Sequence, residues 1–155
     1  MKMRIGLMII LSVLLACVAK NKNGELKQTP LPIRGTWNLI SGTTIENGDT
    51  TVTYYTKNLS FIKIINDTHF AFLKHDLNKG DDRAAAFGSG GGSYSLEDSS
   101  YTEHLEYCND REWEDNDFKF TISIKDDTLI QSGIEKVENA GVNRLNIEKY
   151  VRLKN

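Results

Sequence analysis

From Ile33 onward, apolar residues recur at a period of two, in short runs broken by Gly, Asn and Asp. Nowhere do they follow a helical period for more than about two turns. The alternation predicts a strand over Gly35 to Thr43, with Trp37, Leu39 and Ser41 on one face. The turn Glu46 to Asp49 contains Asn47-Gly48, a strong short hairpin signal, and returns the chain through Thr50 to Thr56. Leu59 to Ile65 is a nearly continuous apolar strand. Asn66-Asp67 turns it into Thr68 to His75, where Phe70 and Phe72 alternate with Ala71 and Leu73. A polar loop, Asp76 to Asp82, leads to Arg83 to Phe87 and the glycine run Gly88 to Gly92, read as a bend or bulge feeding a hairpin that ends at Tyr107. Asn109 to Asp117 is acidic and is read as a loop or a single helical turn. Phe118 to Ile124 alternates most clearly, Asp126-Asp127 turns it into Thr128 to Ile134, and Leu145 to Leu153 closes the chain after a loop over Glu138 to Asn143. The pattern predicts an all-β fold of eight to ten consecutive antiparallel strands, with no crossover helices. That order suits an up-and-down barrel or a sandwich.

The first 16 residues do not fit this pattern. Lys2 and Arg4 precede an apolar run from Ile5 to Leu15, too short for a spanning helix, so residues 1–16 are expected to be a signal peptide. Leu14, Leu15, Ala16 and Cys17 resemble the lipobox of bacterial lipoproteins, which implies cleavage before Cys17 and lipidation of its thiol. Residues 17–32 are polar, end in Pro30 and Pro32, and read as a lipidated tether to a single domain over residues 33–155. The implied location is the bacterial cell envelope, lipid-anchored, with the outer membrane as the expected site.

The 155-residue chain has formal net charge −2. Loss of Lys2 and Arg4 takes the 19 basic residues to 17 against 21 acidic ones, a net of about −4. With no basic run, nucleic acid is not an expected partner. Lipidation of Cys17 would leave Cys108 as a single thiol, which forms no internal disulfide.

Gly35-Thr36-Trp37 at the head of the first strand resembles the G-x-W signature of the lipocalins, and Arg152 lies where many of them keep a basic residue over that tryptophan. With the strand order and the hairpin Gly92 to Tyr107, the mature domain is similar to small lipocalin-like lipoproteins of bacterial envelopes. The resemblance implies a barrel closed at one end by Trp37 and Arg152, open at the other, and able to hold a small apolar ligand. The chain lacks the disulfide of the animal lipocalins and their long helix before the last strand.

The candidate chemistry lies on inward faces. Period two groups Tyr101, Glu103, Leu105 and Tyr107 on one face and Thr102, His104, Glu106 and Cys108 on the other. The first group carries the apolar weight and is expected to point inward, which puts Glu103 among aromatics. A buried carboxylate requires a raised pKa, a tyrosine donor or a cation, and Lys63 and Lys74 are the possible partners. The expected ligand-binding residues are Phe61, Phe72, Tyr94, Tyr101, Glu103 and Tyr107. Phe70, Phe118 and Phe120 also lie on predicted inward faces, and such aromatics either fill a barrel of this size or line a pocket in it.

No catalytic residue and no cofactor is expected. Glu103 and His104 are adjacent and face opposite ways, and His69 and His75 are too far apart for metal-ligand spacing. The acidic cluster from Asp110 to Asp117 lacks the calcium-loop pattern, and no Lys-Ser or Lys-Thr follows the glycines to make a phosphate loop. The expected function is binding of a small hydrophobic or amphipathic molecule. The alternative is a solid barrel that binds an envelope protein, with a hydrolase or isomerase as a third class.

Overall fold

A computed structural model describes residues 31–79 and 86–154. The expected signal peptide, Cys17, the tether up to Pro30 and the first part of Arg83 to Phe87 lie outside the described residues. Among the described residues the chain forms nine strands: β1 Gly35–Glu46, β2 Asp49–Tyr54, β3 Leu59–Ile65, β4 His69–Asp76, β5 Phe87–Glu97, β6 Ser100–Cys108, β7 Asn116–Lys125, β8 Thr128–Val137 and β9 Val142–Arg152. One 3₁₀ turn, Arg111–Trp113, links β6 to β7. All neighbouring strands are antiparallel, and β9 pairs back onto β1, so the sheet closes. The fold is an eight-strand up-and-down barrel of lipocalin-like form with β2 as an extra strand.

The turns follow from local chemistry. Asn47 and Gly48, and likewise Asp126 and Asp127, have positive φ at both central positions. That geometry matches the twist of hairpin strands, and Asn, Asp and Gly tolerate it best. β1 is long enough to serve two neighbours. Its first residues, Gly35 to Asn38, pair with β3, and its last, Ser41 to Glu46, pair with β2.

The closed end is packed around Trp37, which has 0% of its surface exposed. Its Nε1 donates to the Ile33 carbonyl at 2.7 Å, and the Arg152 guanidinium lies 4.0 Å from the ring centroid. Arg152 also donates to the carbonyls of Pro32 and Arg34, which ties the segment before β1 across the barrel end and buries Ile33. Ile65, Phe70, Tyr101, Ile122, Leu129 and Tyr150 complete the plug. Burying a tryptophan removes roughly 150–250 Å² from water, on the order of 4–6 kcal/mol as an upper bound, so Trp37 is a principal anchor of this end.

Two bulges divide the barrel by depth. On β1, Leu39 pairs with Tyr150 and Ser41 with Lys149, leaving Ile40 without a partner. On β6, Leu105 pairs with Gly92 and Tyr107 with Gly91, leaving Glu106 extra. An inserted residue moves every later side chain to the other face. The predicted faces hold below the bulges and invert above them. Tyr107, expected inside, is 68% exposed on the outer surface. Cys108, expected outside, lines the interior, and Gly42 and Thr44 take the inward positions that alternation assigns to Ser41 and Thr43. The glycines are strand residues within β5 rather than a separate bend, and the expected bulge falls among them, at Gly91 and Gly92 opposite Glu106. A Cβ on Gly92 would lie 1.9 Å from the His104 carbonyl oxygen at the β6 bulge, and one on Gly90 would meet the Phe72 ring at 2.6 Å.

Candidate functional site

Above the plug, the open half of the barrel holds a cavity of about 520 Å³. That volume lies within the range of small-molecule pockets.

One wall is aromatic. Phe61 and Phe72, inward neighbours on β3 and β4, stack at 5.7 Å between centroids, and Tyr55 meets Phe61 edge-on at 5.6 Å. Phe118 and Phe120 on β7 and Trp113 from the 3₁₀ turn line the cavity elsewhere, with Trp113 packed 5.8 Å from Phe118.

The floor is polar. Lys63 Nζ donates to Glu103 Oε1 at 2.6 Å and to Gln131 Oε1 at 3.2 Å, and all three residues are buried. Gln131 Nε2 and the Tyr150 hydroxyl both donate to Glu148 Oε2, at 3.2 and 2.7 Å. The ammonium of Lys63 lies about 5.5 Å from the rings of both Phe70 and Tyr150. Nearer the mouth, Glu135 accepts from Arg144 and Asn146 at 2.8 and 2.7 Å, while Arg144 lies 5.5 Å from the Trp113 ring.

Burial sets the electrostatics. It pushes the Glu103 carboxyl above the ordinary glutamate range, against the Lys63 charge that pulls it down. Glu135 is raised by burial and by Glu148, with Arg144 opposing. The hydroxyls of Tyr55, Tyr101 and Tyr150 are all raised, first by burial and then by nearby carboxylates. The Tyr101 hydroxyl is buried beside Glu103 without a hydrogen-bond partner among the described residues. The Cys108 thiol is likewise pushed up by burial, which disfavours its nucleophilic form.

No protein-family model matches the chain. No curated protein is significantly similar to it.

Of the expected ligand-binding residues, Phe61, Phe72 and Glu103 line the cavity. Lys63 is the cation that meets Glu103; Lys74, the other candidate, lines the cavity on β4. Tyr101 is buried in the plug and does not reach the cavity. Tyr94 packs on Tyr101 at 5.3 Å and its hydroxyl donates to the Asn66 carbonyl, so it closes the barrel end rather than lining the pocket. His104 points outward and pairs with Asp117 at 2.8 Å, away from Glu103.

Sequence reasoning missed Tyr55, Gln131, Glu135, Arg144, Asn146 and Glu148. A parity signal was present in the last strand. If Arg152 covers Trp37, then Tyr150, Glu148, Asn146 and Arg144 face inward with it, and the apolar Leu145, Ile147 and Val151 face out. The cavity tolerates this reversed polarity because its polar groups hydrogen-bond to one another in rows across β8 and β9. Chemically, the arrangement offers an apolar wall for the body of a small molecule and a charged, hydrogen-bonding floor for its polar end. Among the described residues, no group of three His, Cys, Asp or Glu side chains is placed to hold a metal ion.

Proposed function

We propose that this chain is a lipid-anchored protein of the bacterial envelope whose barrel binds a small amphipathic molecule in the open half. The observation that carries the binding reading is the cavity of about 520 Å³, with the stacked Phe61 and Phe72 on one wall and the Lys63–Glu103–Gln131 network on its floor. A barrel with only a structural role would fill that space with side chains, as its closed half does around Trp37. The lipobox-like run ending at Cys17 supports the anchor. In this reading the domain sequesters or carries its ligand rather than transforming it.

Titration with an apolar fluorescent dye tests the binding reading. The expected result is saturable binding of one dye per chain, weakened at least tenfold by Thr44→Trp, which places an indole in the cavity lining. Dye binding that Thr44→Trp leaves unchanged would place the dye elsewhere and overturn the reading.

A further inference from the structure

The cavity lining includes a carboxylate, Glu148, that makes no salt bridge among the described residues; Lys63 reaches it only through Gln131. Glu148 points inward from β9, and its cross-strand neighbours are Gly42 on β1 and Gln131 on β8. Its neighbours on the same face of its own strand are Asn146 and Tyr150. All four are uncharged. Glu148 Oε2 accepts from two neutral donors, Gln131 and Tyr150, while Oε1 has no protein partner among the described residues.

Two of the three cations that line the same cavity are engaged elsewhere. Lys63 is bonded to Glu103 and Arg144 to Glu135. Lys74 and Asp110, the remaining lining charges, are of opposite sign. The lining thus carries three cations and four carboxylates, and Glu148 is the carboxylate below the exposed rim that no salt bridge joins among the described residues. Its influence is felt widely: the Glu148 charge contributes to raising Tyr55, Tyr101, Glu103, Glu135 and Tyr150 above their ordinary values.

The space beside Glu148 is aromatic. Because Gly42 has no side chain, the Tyr55 ring occupies the place next to it, with Tyr55 Cε2 3.5 Å and the hydroxyl 3.8 Å from where a Cβ would stand. Tyr55 continues into the Phe61 and Phe72 stack. A carboxylate beside aromatic faces in a partly desolvated pocket favours an organic cation, through charge pairing and attraction to the ring quadrupole. A carboxylate ligand would instead meet Glu148 with no unpaired deep cation to offset it.

Resting on the ligand-binding reading above, we propose that the cavity selects amphipathic organic cations. The ligand's ammonium or amidinium group pairs with Glu148 Oε1, and its apolar body lies along Tyr55, Phe61 and Phe72.

Calorimetric titration of the full chain at pH 7 with three probes of matched shape tests this: tryptamine, the neutral tryptophol, and indole-3-propionate. The expected result is that tryptamine binds at least tenfold more tightly than either of the others, and that Glu148→Gln abolishes its advantage over tryptophol. Equal or tighter binding of tryptophol or indole-3-propionate would overturn the cation preference while leaving the ligand-binding reading standing. A tryptamine preference that survives in Glu148→Gln would overturn the assignment to Glu148. Binding of none of the three would overturn both readings together. The comparison of probes on the unaltered chain needs no variant, so it decides the preference even if Glu148→Gln fails to fold.

Discussion

Replacing Lys63 by methionine is expected to be among the most damaging single changes in the barrel. The Lys63 side chain is 3% exposed and that of Glu103 8%, and they meet at 2.6 Å. Taking away one partner of a buried pair leaves the other charge uncompensated, which costs about 3–5 kcal/mol. Loss of the bond to Gln131 contributes roughly 1 kcal/mol within that range. A domain of this size has about 5–15 kcal/mol in total, so the variant should lose a large share of its stability.

The effect should depend on pH with a defined sign. Burial already raises Glu103, and Lys63 is the largest influence pulling it back, so the variant's Glu103 rises further. An acid whose pKa is higher in the folded than in the unfolded state binds its proton preferentially when folded. Stability then falls as pH climbs from the ordinary glutamate value of about 4.3 through the folded value. The deficit of Lys63→Met should therefore be smallest near pH 4 and grow toward neutrality. Urea unfolding followed by tryptophan fluorescence at several pH values measures it, and the double variant Lys63→Met/Glu103→Leu should recover most of the loss. A deficit under about 1 kcal/mol at pH 7, or one that does not shrink on acidification, would refute the view of Lys63 and Glu103 as a buried, mutually dependent pair.

Other outcomes rest on the same structure. Trp37→Ala should cost about 3–5 kcal/mol in urea unfolding, because a fully buried ring, its bond to Ile33 and its cover by Arg152 are lost together; an unchanged midpoint would remove its role as the plug. Gly92→Ala should destabilise by about 1–3 kcal/mol or more, since its Cβ would meet backbone rather than a movable side chain, and wild-type stability would show that the β6 bulge relaxes freely. In a Cys17→Ser variant, Cys108 should react with a thiol reagent more slowly than a free thiol at pH 8, and labelling at the free-thiol rate would contradict its burial beside the cavity. The same variant should leave the membrane fraction in cell fractionation, and continued retention would mean that another element anchors the chain.

The strand order was legible because its determinants are local. Asn47-Gly48 and Asp126-Asp127 specify their turns through positive φ, and the alternation of Phe118, Phe120, Ile122 and Ile124 matches a half-buried strand. Trp37 under Arg152 was legible through the resemblance of Gly35-Thr36-Trp37 to the lipocalin signature, and Glu103 through its position among aromatics. The glycine run marked the β5–β6 bulge, which falls at Gly91 and Gly92, but neither the bulge at Ile40 nor the extra residue Glu106 was legible, because an extra residue leaves no mark in a period-two pattern until the partner strand is known. That is why Tyr107 was expected inside and Cys108 outside. Most of the cavity's polar lining escaped for another reason: Gln131, Glu135, Asn146 and Glu148 are polar residues on an inward face, and hydrophobic patterning assigns such faces to solvent. Only their partners across β8 and β9 make their burial tolerable, and those pairings are long-range.

If the barrel's open half binds a small amphipathic molecule, that molecule should travel with the protein. Mass spectrometry of an organic extract from the chain, purified from cells of its own host, looks for it without any choice of probe. The expected finding is a small molecule with an apolar body and a basic group, present in near-stoichiometric amount and lost from Thr44→Trp. An extract with no co-purifying molecule, from protein that also takes up no apolar or amphipathic probe, would show that the cavity is not a binding site.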